Sequence, residues 1–268
     1  MINKPLISII TINFNNEKGL LKTIQSIINQ TEKSFEYVVI DGGSTDGSVE
    51  VIKQYKDLIH FWVSEKDNGI YDAMNKGISK ATGQYLMFLN SGDLLSDDSV
   101  LSLCLNAVTN NLATDIFYGD MWGTNSDSSK PWLHKHPEKL TLGFLEKSNL
   151  NHQSSLVRAT LFEEFGLYPP SYKLAGDHWL FLKSFVNSKV FTHINYPLVV
   201  YDYSGLSTKS RAIYIGEMEL MWNIEVPEYV RGIQAELNKL KLKKQSWLTR
   251  KAAKVSSKIV YYRKKLFV

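Results

Sequence analysis

The chain of 268 residues holds one cysteine, Cys104, so it has neither an internal disulfide framework nor a zinc site built from several thiolates, and a reducing compartment is expected. No stretch reaches the roughly 18 uninterrupted apolar residues that a membrane-spanning helix needs. The apolar run from Pro5 to Ile12 stops at Asn13 without a small-residue cleavage site, which leads to the expectation of a cytoplasmic protein. The glycines are restrictive too. A G-x-x-x-x-G-K-[ST] phosphate loop is missing, and Asp41-Gly42-Gly43-Ser44-Thr45-Asp46-Gly47 lacks the G-x-G-x-x-G spacing of dinucleotide binders. Any bound phosphates must therefore be held through a metal or by another loop. There is no internal repeat and no low-complexity tract.

With 44% hydrophobic and 22% charged residues, the chain can bury a sizeable core. Its formal charge of +4 conceals an asymmetry: residues 239–268 carry 11 basic and no acidic residues, whereas residues 1–238 carry 20 basic against 27 acidic. An acidic body ending in a basic tail argues against nucleic acid as a partner and for one anionic partner at the C-terminus. In that tail Leu248, Ala252, Val255, Ile259, Tyr262 and Leu266 recur at alternating intervals of four and three, one face of a helix. Flanking Lys251, Lys258 and Arg263 can snorkel. Residues 246–268 are expected to lie on an anionic membrane surface, the alternative being a helix whose stripe docks on the body.

Short β-rich runs alternate with helical periodicity over the first hundred residues. Strands are expected at Leu6–Ile12, Phe35–Ile40, His60–Val63 and Gln84–Leu89, with helices at Asn16–Asn29, from the Ser44–Asp46 caps to Tyr55, and at Ile70–Lys80. Four βα units predict an α/β, Rossmann-like nucleotide-binding sheet. Beyond Asp93 a helix is expected over Asp98–Val108, strands at Asp115–Tyr118, Ser154–Val157 and Val190–Tyr203, helices near Thr160 and His178, and mostly helix over Ser210–Lys244. The polar segment from Trp122 to Pro137 reads as an irregular lid or substrate loop, with His134 and His136 exposed to solvent.

In open α/β sheets ligands sit at the carboxyl ends of the strands. Those ends deliver Asn13, Phe14 and Asn15, then Asp41, then Glu65 and Asp67, then Asn90, Ser91 and Asp93. Carboxylates gathered on one edge repel one another unless a cation or a donor-rich ligand sits among them, so a divalent metal and a base with N–H donors are natural occupants.

Five segments in order then carry a resemblance. They are Ser8-Ile-Ile-Thr11-Ile-Asn-Phe14-Asn15, Asp41-Gly-Gly-Ser-Thr-Asp46-Gly, Glu65-Lys-Asp67-Asn-Gly69-Ile-Tyr71-Asp72-Ala-Met-Asn75-Lys-Gly77, Ala81-Thr-Gly83 and Leu89-Asn-Ser-Gly-Asp93. The chain resembles family 2 glycosyltransferases of GT-A fold, the bacterial type that assembles O-antigen, capsule and exopolysaccharide, over residues 5 to about 207. The resemblance implies a mixed, mostly parallel sheet with helices on both faces, followed by an amphipathic helical tail. It implies a donor half at 1–95, an acceptor and catalytic half at 96–209, and C-terminal helices at 210–268.

It further implies an inverting hexosyl transfer from a nucleotide sugar, UDP-linked, to a saccharide on a polyprenyl diphosphate, forming a β-glycoside at the inner face of a bacterial inner membrane. Thr11, Phe14 and Asn15 would line the nucleoside pocket, and Asp41 would accept the uracil N3–H. Asn75, Asn90, Ser91 and Ser207 would also serve the donor, the last on a flexible loop after Tyr203. Asp93 would hold a divalent ion, Mn²⁺ or Mg²⁺. Asp177, at the start of a helix, would be the catalytic base. His152, Gln153 and His178 would lie near acceptor or diphosphate.

The sequence departs from the family pattern at three places. Asn90-Ser91-Gly92 precede Asp93 instead of acids, Gly176 stands where an acid often precedes the base, and Met74 stands where a cation is common, leaving Lys76 or the metal to neutralise phosphate. A non-catalytic nucleotide-, glycan- or lipid-binding relative is the alternative. A nucleotidyltransferase is a second one, although its G-x-G-T-x-[MLR] opening is missing.

Overall fold

Seven consecutive buried residues, Ile7–Asn13, form the central strand β1 of the computed structural model, which describes residues 4–125, 130–203 and 210–245. β1 lies between β2 (Phe35–Asp41) and β4 (Tyr85–Phe88), with β3 (Phe61–Ser64) beyond β2, and all these pairings are parallel. An apolar run of this length suits a strand covered on both faces. On one face α1 (Glu17–Ile28) buries Leu20, Ile24 and Ile27 against Ile7, Ile9, Tyr37 and Val39. On the other, α3 (Ile70–Lys80) lies so close that a Cβ on Gly77 would stand 2.4 Å from Ile10 Cγ2. Asn16 caps α1, its side chain accepting from Gly19 N at 3.2 Å. α2 (Ser48–Gln54) follows β2.

The sheet continues in mixed fashion. β5 (Leu94–Leu95) is an edge strand, α4 (Val100–Asn110) follows it, and β6 (Ile116–Thr124) runs beside β8 (Ser155–Arg158) and β9 (Phe191–Asp202). β8 is antiparallel to β4 and joins the two halves, giving the order β3-β2-β1-β4-β8-β6-β9-β5. Cys104 is buried on α4, where burial pushes its thiol up to about 12. The remaining helices of this unit are α5 (Leu142–Leu145), α6 (Thr160–Phe165), α7 (Gly176–Val186) and α8 (Arg211–Glu225). α8 packs on α7, where Trp179 Nε1 donates to Glu225 Oε1 at 2.8 Å. Residues 1–225 make one compact unit and residues 226–268 another. In the second, 228–245 is helical, and the tail 246–268 lies outside the described residues. Among the described residues no helix is long and apolar enough to cross a membrane.

The segment Trp122–Pro137 is not the irregular loop expected of its polar composition. β6 runs on to Thr124, and β7 (Trp132–His134) pairs back on it, Trp122 opposite Leu133 and Gly123 opposite Trp132. Gly123 leaves room for the Trp132 ring, which also meets Tyr203 at 5.2 Å between centroids. Nor is His136 exposed. Its Nδ1 donates to Gly119 O at 2.8 Å, its backbone N–H to Asp120 Oδ1 at 3.0 Å, and its Nε2 is buried without a partner. Burial drives its pKa down to about 4.

That depression has a definite sign. Between pH 6.5 and 4 the unfolded chain protonates this imidazole and the folded one does not, so stability is complete above pH 6.5 and falls on acidification. The loss attributable to His136 is about 3 kcal/mol by pH 4. Melting temperatures of the wild type and of His136→Gln from pH 7 to 4 should diverge at the neutral end and converge on acidification. Parallel curves would remove His136 as the cause.

Candidate active site

Register brings the site together. Asn13 pairs with Asp41 and Asp41 with Ser64, so the last residues of β1, β2 and β3 form one row across the sheet. The chain leaving β4 stays beside β1, Leu89 N–H donating to Ile10 O at 2.9 Å and Ser91 N–H to Ile12 O at 3.0 Å, which carries Asn90–Asp93 to the same edge. The end of β9 arrives there too, Asp202 N–H donating to Asp93 Oδ1 at 3.3 Å. A cavity of about 1210 Å³ opens at this edge. Phe14, Asn90, Ser91, Asp93, His152, Gln153 and Asp177 all line it, so seven expected site residues converge on one space.

Asp177, on the first turn of α7, lines the cavity and is 8% exposed. Its Oδ1 accepts from Tyr71 Oη at 3.1 Å and from His178 N–H at 2.8 Å. Its Oδ2 accepts from His152 Nδ1 at 3.0 Å and Asn149 Nδ2 at 3.2 Å. Burial raises its pKa, but these donors and the neighbouring imidazole outweigh it and the net direction is down. Because a carboxylate only accepts, His152 carries its proton on Nδ1, and Nε2 then accepts from Asn90 Nδ2 at 3.1 Å. One chain of hydrogen bonds thus runs from the α7 carboxylate to the edge at β4.

Gly176 is explained by the same cluster. A Cβ there would stand 2.8 Å from Cζ of Tyr71, so an acidic side chain would occupy the space of the ring that reaches Asp177. Burial, then the charge of Asp177, hold the Tyr71 phenol well above its ordinary pKa, which keeps it a donor. α8 braces the loop entering α7, Glu217 accepting from the N–H groups of Lys173, Leu174 and Ala175 at 2.7, 3.0 and 2.9 Å.

Asp93 has the opposite electrostatics. Burial lifts its pKa to about 7, against the Gln153 amide at 3.1 Å, the electrostatic influence of His152 and the Asp202 N–H, while the nearby Asp202 charge lifts it further. A buried carboxylate with a second one beside it fits a divalent cation, whose charge would favour the ionised form and whose preference is for oxygen ligands. Among the described residues no group of three or more His, Cys, Asp or Glu side chains is placed to hold a metal ion. The protein would therefore offer Asp93 and Asp202, and phosphate oxygens of a ligand would complete the set.

Several expected residues sit elsewhere. Thr11 is fully buried and accepts from Tyr37 Oη at 3.1 Å, because strand alternation turns it into the core. Asn15, at φ +48°, accepts from Thr45 N–H at 2.9 Å and donates its own backbone N–H to Ser44 Oγ at 2.7 Å, so it shapes the loop after β2. Asn75 spends both ends of its amide on the backbone of Tyr168, at 2.9 and 3.0 Å. His178 is 1% exposed, bonded to Leu145 O at 2.8 Å and Tyr214 Oη at 3.2 Å.

Asp41 is also fully buried. Its oxygens accept from Asn13 Nδ2 at 2.7 Å, Ser44 Oγ at 2.6 Å, Ser44 N–H at 2.9 Å and Ser64 Oγ at 2.6 Å, which leaves no lone pair for a nucleobase. Lys76 is tied to Glu65 at 3.0 Å and Asp72 at 3.8 Å, and the cations lining the cavity are instead Lys66 and Arg211. Ser207 lies outside the described residues. Tyr71, Asn149 and Asp202 were not singled out from sequence. The helical context of Tyr71, the loop position of Asn149 and the strand-end position of Asp202 carried no signal.

Comparison with known proteins gives a consistent picture. Residues 8–176 match the sequence model of the glycosyl transferase family 2. An uncharacterized glycosyltransferase of Mycobacterium tuberculosis is 29% identical over 229 residues, 84% of this chain and 86% of that protein. The PGL/p-HBAD biosynthesis glycosyltransferase of Mycobacterium bovis is 29% identical over 219 residues, 76% of this chain and 79% of that protein. Among solved structures, Staphylococcus aureus TarS 1-349 in complex with UDP-GlcNAc aligns with a TM-score of 0.67 at 19% identity, covering 83% of this chain and 68% of that one. A Pyrobaculum calidifontis mannosyltransferase in complex with GDP-Man and Mn²⁺ aligns at 0.58 and 15% identity, covering 75% and 57%. These likenesses place the fold in the GT-A class.

Proposed function

Because the chain belongs to glycosyl transferase family 2, we propose that it is an inverting hexosyltransferase using a UDP-sugar donor. The observation that carries this reading is the cavity itself, lined by the β-strand edge, Asp93 and Asp177 together. The acceptor is a saccharide, carried on a polyprenyl diphosphate at the inner face of a bacterial inner membrane during surface polysaccharide assembly. The basic, amphipathic composition of residues 246–268 supports a peripheral position on that anionic surface.

In the reaction the acceptor oxygen forms a bond to the anomeric carbon as the bond from that carbon to the diphosphate oxygen breaks. The leaving group takes the electron pair, and the hydroxyl proton passes to Asp177. Of the four bonds to that carboxylate, the 3.2 Å one from Asn149 is the longest, and both residues line the cavity, so the hydroxyl would replace it. Single displacement of an α-linked donor yields a β-glycoside. Asp93 and Asp202 would hold a divalent ion, which when bound stabilises charge on the departing diphosphate. Lys66 and Arg211 add positive charge at the cavity wall.

A thermal-shift panel of UDP, GDP, CMP and dTDP with and without Mn²⁺ tests the donor class. The largest rise is expected with UDP and should grow with Mn²⁺, and no rise with any nucleotide would defeat the reading. Removing 246–268 should abolish co-sedimentation with anionic vesicles. Undiminished sedimentation would detach the membrane from the proposal.

A further inference from the structure

Three asparagines on the cavity wall, Asn13, Asn90 and Asn149, share one feature: each has a side-chain carbonyl oxygen that is buried and accepts nothing from the protein. Asn90 and Asn149 lie in the hydrogen-bond chain around His152 and Asp177, where the transferred sugar and the acceptor would be. Asn13 lies apart from them, at the end of β1 beside Phe14, and is 3% exposed. Phe14 lines the same cavity with 63% of its surface exposed.

We propose that Asn13 reads the nucleobase, its Oδ1 accepting the N3–H of uracil, while Asp41 acts only through Asn13 by fixing the amide. This rests on the nucleotide-sugar reading above. Asn13 Nδ2 donates to Asp41 Oδ1 at 2.7 Å and to Ser44 Oγ at 3.2 Å, which uses both of its hydrogens. The amide cannot turn over, because that would set its oxygen against a carboxylate that only accepts. Asp41 in turn is held by Ser44 and Ser64, so the register row Asn13–Asp41–Ser64 is a rigid bracket behind one unpaired acceptor.

An acceptor of fixed orientation, sealed from solvent and unpaired, gains most from a ligand that brings an N–H to it. Uracil has that hydrogen at N3. Cytosine presents a lone pair at the same ring position and would meet the carbonyl oxygen with repulsion. Asp41, positioned to be the reader by its motif, has all four acceptor sites filled and contributes orientation instead.

The test is titration calorimetry of the full chain with UDP, CDP and 3-methyluridine diphosphate, the last lacking only the N3 hydrogen. The wild type is expected to bind UDP roughly tenfold to a hundredfold more tightly than either of the others. Asn13→Ala should bind all three within about threefold of one another, losing affinity for UDP alone. Should that variant fail to fold, Asn13→Ser leaves a small polar side chain in place, its oxygen one bond too short to reach either Asp41 or the base. It should show the same levelling. A variant that keeps the preference for UDP over the 3-methyl compound overturns Asn13 as the reader while leaving the donor class standing. A wild type that binds no nucleotide overturns the donor reading itself, and the inference with it.

Discussion

Replacing Asp177 with Asn is expected to lower glycosyl transfer by about 10²–10⁴-fold while leaving the UDP-induced rise in melting temperature in place. The carboxylate lies on α7 and shares no hydrogen bond with the ends of β1 and β2 proposed to hold the nucleobase, so its loss removes the proton acceptor and spares donor binding. The substitution keeps size and shape. It turns one acceptor oxygen into a donor facing either Tyr71 and His178 N–H or Asn149 and His152 Nδ1, all of which now donate. The pH profile supplies a second readout. Burial pushes the Asp177 pKa up, the His152 and other donors push it further down, and the net value lies below the ordinary 3.8, so the group is ionised at every pH above about 5. No acid limb from Asp177 should appear in kcat/KM between pH 5 and 8. An acid limb in the imidazole range, with activity surviving in Asp177→Asn, would transfer the base role to His152, the ring in direct contact.

The second large effect is expected at Gly176. Gly176→Glu places an acid directly before Asp177 and should reduce both stability and transfer, because its Cβ would stand 2.8 to 2.9 Å from three atoms of the Tyr71 ring. Overpacking of this kind costs about 1–3 kcal/mol. The displaced ring would take its hydroxyl off Asp177 Oδ1, and a second carboxylate would stand next to the first. A fall of several degrees in melting temperature and at least tenfold in kcat is anticipated, with UDP binding retained. Combining the change with Tyr71→Ala separates the two terms. The double variant should recover the melting temperature lost to overpacking without recovering kcat, since the donor to Asp177 stays absent. Additive losses in the double variant would show that the ring and the glycine do not compete for one space.

Much of this arrangement was legible from residue order. The β1, β2 and β4 runs carry their apolar content in blocks with polar residues immediately after, and periodicity placed α1 and α3 within a residue or two of their observed bounds. Once parallel strands are recognised, their carboxyl ends must share an edge, so Phe14, Asn90, Ser91 and Asp93 were bound to meet there. Local sequence therefore determined the layer architecture and which chain segments surround the cavity.

Tertiary structure decided which atoms of those segments face it. Whether a polar side chain is free for a ligand depends on partners tens of residues away in sequence. Asp41 is filled by Ser44, Ser64 and Asn13, Asn75 by the backbone of Tyr168, and His178 by Leu145 and Tyr214. The sequence placed Asn13 at the ligand edge without a role, and the role proposed for it comes from a register that sets its amide against a saturated carboxylate. The His136 ring and the pairing of β7 on β6 went the same way, because a polar stretch can still form a strand when a neighbour such as β6 supplies the ladder. Patterns of burial are periodic and can be read along the chain, whereas hydrogen-bond saturation is a three-dimensional count of donors and acceptors.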